Sequence, residues 1–156
     1  RHQPETHAIP NFIAAALAGR PIPLHWNGEQ VRDFVYVEDL ARAHTKVLGL
    51  HGYHIFNVGT EHGARIRDVL ETILRLTGSR STISDLGPRA GDVAENYASA
   101  EKLRAATGWR PEVGLEDGLR RTVEWFRERP RRLLQEGLPL GTEGHVTWSR
   151  DDLHER

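Results

Sequence analysis

The chain has 156 residues, 38% hydrophobic and 28% charged, with a net charge of −1 and no cysteine. That is enough for one compact domain with a core of its own. It gives no electrostatic case for nucleic acid or an acidic membrane surface, contains no apolar run near the length of a membrane span, and excludes disulfides and thiolate metal sites. The default location is cytoplasmic. The chain starts at Arg1 and contains no methionine, which leaves open either trimming of the start or derivation from a longer protein.

Pro10 to Leu17 reads as a helix, with Phe12, Ile13, Ala16 and Leu17 on one face and Gly19 as a left-handed stop. Pro21 to Trp26 is extended, because its prolines block helix, and Asn27-Gly28 is a turn. Phe34 to Val37, β-branched and aromatic, predicts a short strand. Asp39 then reads as the N-cap of a helix carrying Leu40, Ala43, His44, Val47 and Leu48 at helical spacing, closed by Gly49. Tyr53 to Gly59 is read as a strand running into a loop. Arg65 to Leu76 has the clearest helical stripe (Ile66, Val69, Leu70, Ile73, Leu74), ended by Gly78.

Ser81 to Leu86 predicts a strand, Gly87 to Asp92 a loop with two charges, and Glu95 to Ala98 a short strand. Ser99 caps a helix that stops at Gly108. A last helix runs from about Leu115 to Arg129, with Pro130 as its expected terminator. The order of elements gives an α/β class, mixed α+β if the chain stands by itself. Residues 1–136 are expected to form one domain and 137–156 a loosely ordered tail.

Two arginines stand where a phosphate could be held. Arg32 lies beside a strand, and Arg89 lies in a Gly/Pro loop near Asp92. Two guanidinium groups approaching from different segments can grip a diphosphate with paired hydrogen bonds. Spacing alone favours surface ion pairs, Arg32 with Asp33 or Glu29 and Arg89 with Asp92, because such pairs are common without function. The nine histidines form no HExxH pattern and no complete ligand set, so no metal is expected. His44 is expected to be a hydrogen-bonded core residue. Neither a Gly-x-Gly-x-x-Gly turn between strand and helix nor a Tyr/Lys pair at four-residue spacing occurs. Binding groups are present without a reaction centre.

In order along the chain come Ile9-Pro10-Asn11-Phe12-Ile13, Ala16 to Ile22, Gly28 to Asp39 with its core Val31-Arg32-Asp33-Phe34-Val35-Tyr36-Val37-Glu38-Asp39, Phe56-Asn57-Val58-Gly59, Pro88-Arg89-Ala90-Gly91-Asp92-Val93, Gly108-Trp109-Arg110-Pro111, and Gly118 to Phe126. Together these resemble the C-terminal, substrate-binding part of the extended short-chain dehydrogenase/reductases, a Rossmann-type fold. Within that family the likeness is to the NAD-dependent nucleotide-sugar epimerases and dehydratases. It covers roughly residues 8 to 130.

The resemblance implies that Arg32 and Arg89 hold the diphosphate of a UDP- or dTDP-sugar and that Asn57 assists. It also implies that Asp92 contacts the nucleoside, that Pro23 and His25 line the base, and that Asp39 is structural. Gly91-Asp92-Val93 looks more like epimerases than dehydratases, which tend to have histidine at the aspartate. Two residues depart from the pattern: Trp26 replaces the usual glycine, and His25 replaces the usual tyrosine or phenylalanine. The family's N-terminal half, with its NAD loop and catalytic tyrosine and lysine, has no match in this chain. Catalysis and tight NAD binding by the chain alone are therefore not expected, and whether it is an enzyme by itself stays open. It is expected to form a homo-oligomer or to pair with the missing half, or to be a non-catalytic nucleotide-sugar-binding module.

Overall fold

The computed structural model describes residues 7–88 and 91–136, with side chains to residue 128. The order is α1 (Ala8–Leu17), β1 (Ile22–Leu24), a 3-10 turn at Trp26–Gly28, β2 (Val31–Asp33), α2 (Val37–Val47), β3 (Gly63–Arg65), α3 (Ile66–Thr77), β4 (Ile83–Asp85), β5 (Glu95–Asn96), α4 (Glu101–Thr107) and α5 (Leu115–Glu136). The strands make two small sheets. β1 pairs in parallel with β4, and β2 lies between antiparallel β3 and parallel β5. The mixed α/β class read from the sequence is the one observed.

The helices form where apolar residues recur every three to four positions. On α3 the stripe buries Val69, Leu70 and Ile73, and Gly78 ends the helix at a φ of +71° while Ser79 N–H donates back to the Leu74 carbonyl. This stripe meets Phe12, Ile13 and Ala16 of α1, Leu119 and Val123 of α5, and Ile22 and Leu24 of β1 in the larger core. A smaller core joins Ala43 of α2, Ala100, Leu103 of α4 and Trp109, with Phe56 and Val58 against it.

Asp39 ties the second core to the loop before α5. Its side chain is fully buried. Oδ2 accepts from the backbone N–H groups of Glu112 (3.2 Å) and Val113 (3.0 Å), Arg42 pairs with Oδ1, and the Asp39 carbonyl accepts from Trp109 Nε1 at 2.9 Å. A buried carboxylate is tolerable only when its lone pairs are filled in this way. Asp39 is therefore structural, but it is not a helix cap: α2 already starts at Val37, and Tyr36 is its capping residue.

Glu61 performs the corresponding service for α4. Its backbone sits at a φ of +64°. Its carboxylate accepts from Ser99 Oγ (3.0 Å), Ala100 N–H (3.0 Å) and Arg104 Nη1 (2.8 Å). The capping residue of α4 is Ala100, not Ser99 as its sequence position suggests; Ser99 stands one residue before it, its hydroxyl accepting from Glu101 N–H at 3.2 Å.

Other expectations need correction. The strand expected at Phe34–Val37 lies earlier, at Val31–Asp33, because that is where β3 and β5 offer backbone partners on both sides. Val37 instead opens a helix whose first turn carries Glu38 and Asp39, favourable charges at the positive end of the helix dipole. Tyr53–Gly59 pairs with no strand among the described residues, so its β-prone composition yields no strand. His44 is exposed, and its Nδ1 lies 2.8 Å from the Leu40 carbonyl. α5 continues through Pro130 to Glu136, although a proline inside a helix removes one hydrogen bond and crowds the carbonyl four residues back. The tail at 137–156 lies outside the described residues.

Replacing Asp39 with alanine leaves two backbone N–H groups and Arg42 without their acceptor, and is expected to cost about 3 kcal/mol of unfolding free energy in urea titrations. Hydrogen bonds from Arg104, then from Ser99, hold the Glu61 carboxyl at about 2 instead of 4.5. Its folded pKa is depressed, so its contribution is present above pH 4.5 and is lost as pH falls through about 2. Between those limits the urea midpoint of the wild type should fall more steeply than that of Glu61→Gln; parallel curves would remove Glu61 from the acid response.

Candidate functional site

Where β2 runs beside β5, its alternating side chains divide between two environments. Gln30, Arg32 and Phe34 line a cleft of about 610 Å³, while Asp33, on the other side, binds the 59–61 turn. There Thr60 Oγ1 donates to Asp33 Oδ1 at 2.5 Å, and the N–H groups of Thr60 and Glu61 donate to Oδ2 at 2.9 and 3.3 Å. The cleft is of a size that holds a small organic ligand. Its apolar wall comes from Phe12 of α1, Ile22 and Leu24 of β1, Phe34, Ile66 and Leu86. Its polar groups are Asn11, Arg20, His25, Gln30, Arg32 and Asp92.

The rim is fixed by the end of β1. Leu86 N–H donates to the Leu24 carbonyl (2.8 Å), and the Gly87 carbonyl accepts from Trp26 N–H at 3.1 Å and faces His25 Nδ1 at 3.2 Å. The chain then turns sharply. Trp26 and Asn27 take φ angles of +52° and +51°, a conformation that strains any residue with a Cβ. Trp26 therefore occupies a position suited to the glycine usual in the resembling family. Gly28, at a φ of +78°, cannot be replaced without strain, since a Cβ there would lie 2.8 Å from the backbone nitrogen of Arg67. Arg67 closes the turn by donating Nε–H to the Asn27 carbonyl at 2.8 Å.

At the polar end, Arg32 Nη2 donates to Asp92 Oδ1 at 2.5 Å and Arg32 Nη1 donates to the carbonyl of Val31 at 2.8 Å. Gln30 Nε2 donates to the other Asp92 oxygen at 3.0 Å. The Gln30 hydrogen bond, with the Arg32 charge adding to it against the opposing effect of burial, holds the Asp92 carboxyl below the usual aspartate range. Asp92 is thus an anion, acceptor-only, with one oxygen on each partner. Among the described residues two of the five N–H donors of Arg32 are engaged, which leaves three for a further anion.

Of the residues singled out from sequence, Pro23, His25, Arg32 and Asp92 come together on this cleft. Asn57 does not line it; it is exposed in the unpaired 53–59 segment. Arg89 lies outside the described residues. Arg20 and Gln30 were missed. Arg20 stands in the Gly19-Arg20-Pro21 step between α1 and β1, and Gln30 is two residues before Arg32, on the same face of β2. Among the described residues no cluster of three or more His, Asp or Glu could hold a metal, and no helix is long and apolar enough to cross a membrane.

Residues 1–59 match the model of the NAD dependent epimerase/dehydratase family. A trifunctional UDP-glucose 4,6-dehydratase/UDP-4-keto-6-deoxy-D-glucose 3,5-epimerase/UDP-4-keto-L-rhamnose-reductase of Arabidopsis thaliana is 36% identical over 126 residues, 78% of this chain and 19% of that protein. The UDP-glucose 4-epimerase of Thermotoga maritima, solved with UDP-glucose, superposes with a TM-score of 0.78 at 32% identity, over 83% of this chain and 43% of its own. The Thermus thermophilus UDP-glucose 4-epimerase, solved with NAD, gives 0.71 at 37% identity, over 77% and 40%. The chain thus spans between about a fifth and about two fifths of these relatives.

Proposed function

We propose that this chain, homologous to the NAD-dependent nucleotide-sugar epimerases and dehydratases, supplies the nucleotide-sugar grip of such an enzyme. The observation that carries the reading is the cleft itself, where an anchored guanidinium with unused donors, Arg32, stands at the polar end of an apolar wall of nucleotide size. In this reading Arg32 and Arg89 hold the diphosphate. Asp92 accepts from hydroxyl groups of the nucleoside, and Pro23 and the His25 ring pack on the base. Asn57, exposed outside the cleft, has no part in this grip.

NAD, when bound in such an enzyme, accepts and returns a hydride from the sugar. No Tyr/Lys couple or glycine-rich turn is present in this sequence to hold it, so the reading assigns NAD and the proton-transfer groups to protein outside these 156 residues. What this chain contributes is orientation: binding energy spent on the nucleotide fixes the sugar ring in place for reaction.

The surface supports contact with further protein. Val37 (66% exposed), Leu48 (83%), Tyr53 (88%) and Ile55 (64%) are apolar residues standing in solvent on α2 and the segment after it. A contiguous apolar exposure of this kind marks an association surface, and the 53–59 backbone has no strand partner among the described residues. Association with another chain, or with a second copy, is the expected use.

Three measurements test the reading. Calorimetry of the 156-residue chain should show binding of UDP-glucose or a dTDP-sugar but not of NAD, and neither sugar should be turned over by the chain alone. Arg32→Ala and Arg89→Ala should each weaken nucleotide binding about tenfold or more, the scale of losing charge-assisted hydrogen bonds; unchanged binding would misplace the site. Sedimentation should find self-associated species that dissociate on Tyr53→Ser with Ile55→Ser, whereas a monodisperse, cooperatively melting monomer would argue against an association surface.

A further inference from the structure

We propose that Gln30 is the positioning residue of the cleft: its buried amide holds one oxygen of Asp92, and so keeps Arg32 from closing on that carboxylate and aims it at a diphosphate. The ligand named here rests on the nucleotide-sugar reading above; the positioning itself does not.

Gln30 is 5% exposed. Nε2 donates to Asp92 Oδ2 at 3.0 Å, and Arg32 Nη2 donates to Asp92 Oδ1 at 2.5 Å. The orientation of the amide is forced by chemistry. An ionised carboxylate only accepts, so the NH₂ group must face it. Gln30 Oε1 is then turned to a buried place where no donor among the described residues reaches it. A buried carbonyl without a partner is destabilising. Leucine would fill nearly the same space without stranding a polar atom, so packing gives no reason for an amide here. The N–H directed at Asp92 gives one.

That N–H is needed because of how arginine and aspartate pair when nothing intervenes. Their preferred contact is a two-pronged one, both carboxylate oxygens on the guanidinium fork. Such a contact would engage the same paired donors that a phosphate uses. With Oδ2 held by Gln30, Asp92 meets Arg32 through Oδ1 alone. Gln30 and Arg32 project from the same face of β2, two residues apart, so both ends of the carboxylate are fixed to one strand. Asp92 itself follows Gly91, whose φ is +78°, and enters a strand of only two residues, Glu95–Asn96. The backbone N–H of Val93 also bonds the carboxylate, and the amide of Gln30 adds an anchor from β2.

The test uses the 156-residue chain with two probes, UDP-glucose and inorganic pyrophosphate, the second because it has no nucleoside for Asp92 to contact. Gln30→Leu should weaken binding of both about tenfold, while the melting temperature stays level or rises, since the stranded carbonyl is gone. Adding Asp92→Asn to Gln30→Leu should restore pyrophosphate binding, because the competitor for the fork is removed. In the free protein, the guanidinium ¹⁵N–¹H signals of Arg32, assigned with Arg32→Lys, should shift in Gln30→Leu. If Gln30→Leu does not fold, Gln30→Met carries the same measurements.

Unchanged affinity, a loss that Asp92→Asn does not relieve, or unmoved Arg32 signals would each overturn the positioning role. A wild-type chain that binds neither probe, yet shows the Arg32 signals moving in Gln30→Leu, would overturn the nucleotide-sugar reading and support the arrangement of the three side chains.

Discussion

The molecule is organised by the pairing of β2 on both edges. It is three residues long, too short to be stable by itself, and it persists because β3 and β5 saturate its backbone on either side. Once that backbone is fixed, period-two alternation decides everything near it. Gln30 and Arg32 go to the cleft, and Asp33 goes to the turn at 59–61. A slip of one residue would exchange the two sets and place Asp33 in the cleft. The parallel register of β2 with β5, Val31 opposite Glu95 and Arg32 opposite Asn96, also brings Asp92 alongside Arg32. Sheet pairing and site geometry are therefore one constraint.

The two cores are joined mainly by acidic side chains that accept backbone N–H groups. Asp33 binds the turn that leads into Glu61, Glu61 binds the start of α4, and Asp39 binds the loop that leads into α5. Each carboxylate takes the place of a helix cap or a strand partner that the local sequence does not provide. Tyr36 adds an apolar link, its ring under Arg121 at 5.6 Å and against Gly118, where a Cβ would meet it at 3.1 Å. The larger apolar core lies among α1, α3, α5 and β1. The α2 side depends on these directed bonds and leaves Leu48, Tyr53 and Ile55 in water.

Helices were legible in the sequence because a stripe such as Ile66, Val69, Leu70 and Ile73 is its own signal, and Gly78 marks the stop. Strands were not, because a strand exists only where a neighbour offers a backbone. Phe34–Val37 has the better composition, yet Val31–Asp33 has the partners. Tyr53–Gly59 has strand composition and no partner among the described residues. The same displacement hid Gln30. With the strand placed at Phe34–Val37, residues 30 and 32 belong to a turn and nothing relates them; with the strand at Val31–Asp33 they share a face. Pro23, His25, Arg32 and Asp92 were accessible through their motif neighbours, although no local rule brings residue 32 to residue 92. Long-range pairing does that.

An arginine already bound to an aspartate is not thereby spent. One donor goes to Asp92 and one to the Val31 carbonyl, and neither bond neutralises the remaining face of the guanidinium. What the two bonds remove is rotamer freedom, which for a free arginine is among the largest of any side chain. Under the proposed reading, a phosphate at Arg32 meets a group whose ordering cost has been met in folding, and more of the contact energy appears as affinity. Asp92 partly offsets the local positive charge, which weakens attraction for stray anions. It leaves an advantage to a ligand that both offers a phosphate to Arg32 and presents hydroxyl donors to the carboxylate. A nucleoside diphosphate has both, with its hydroxyl donors held on the ribose at a fixed distance from the phosphates.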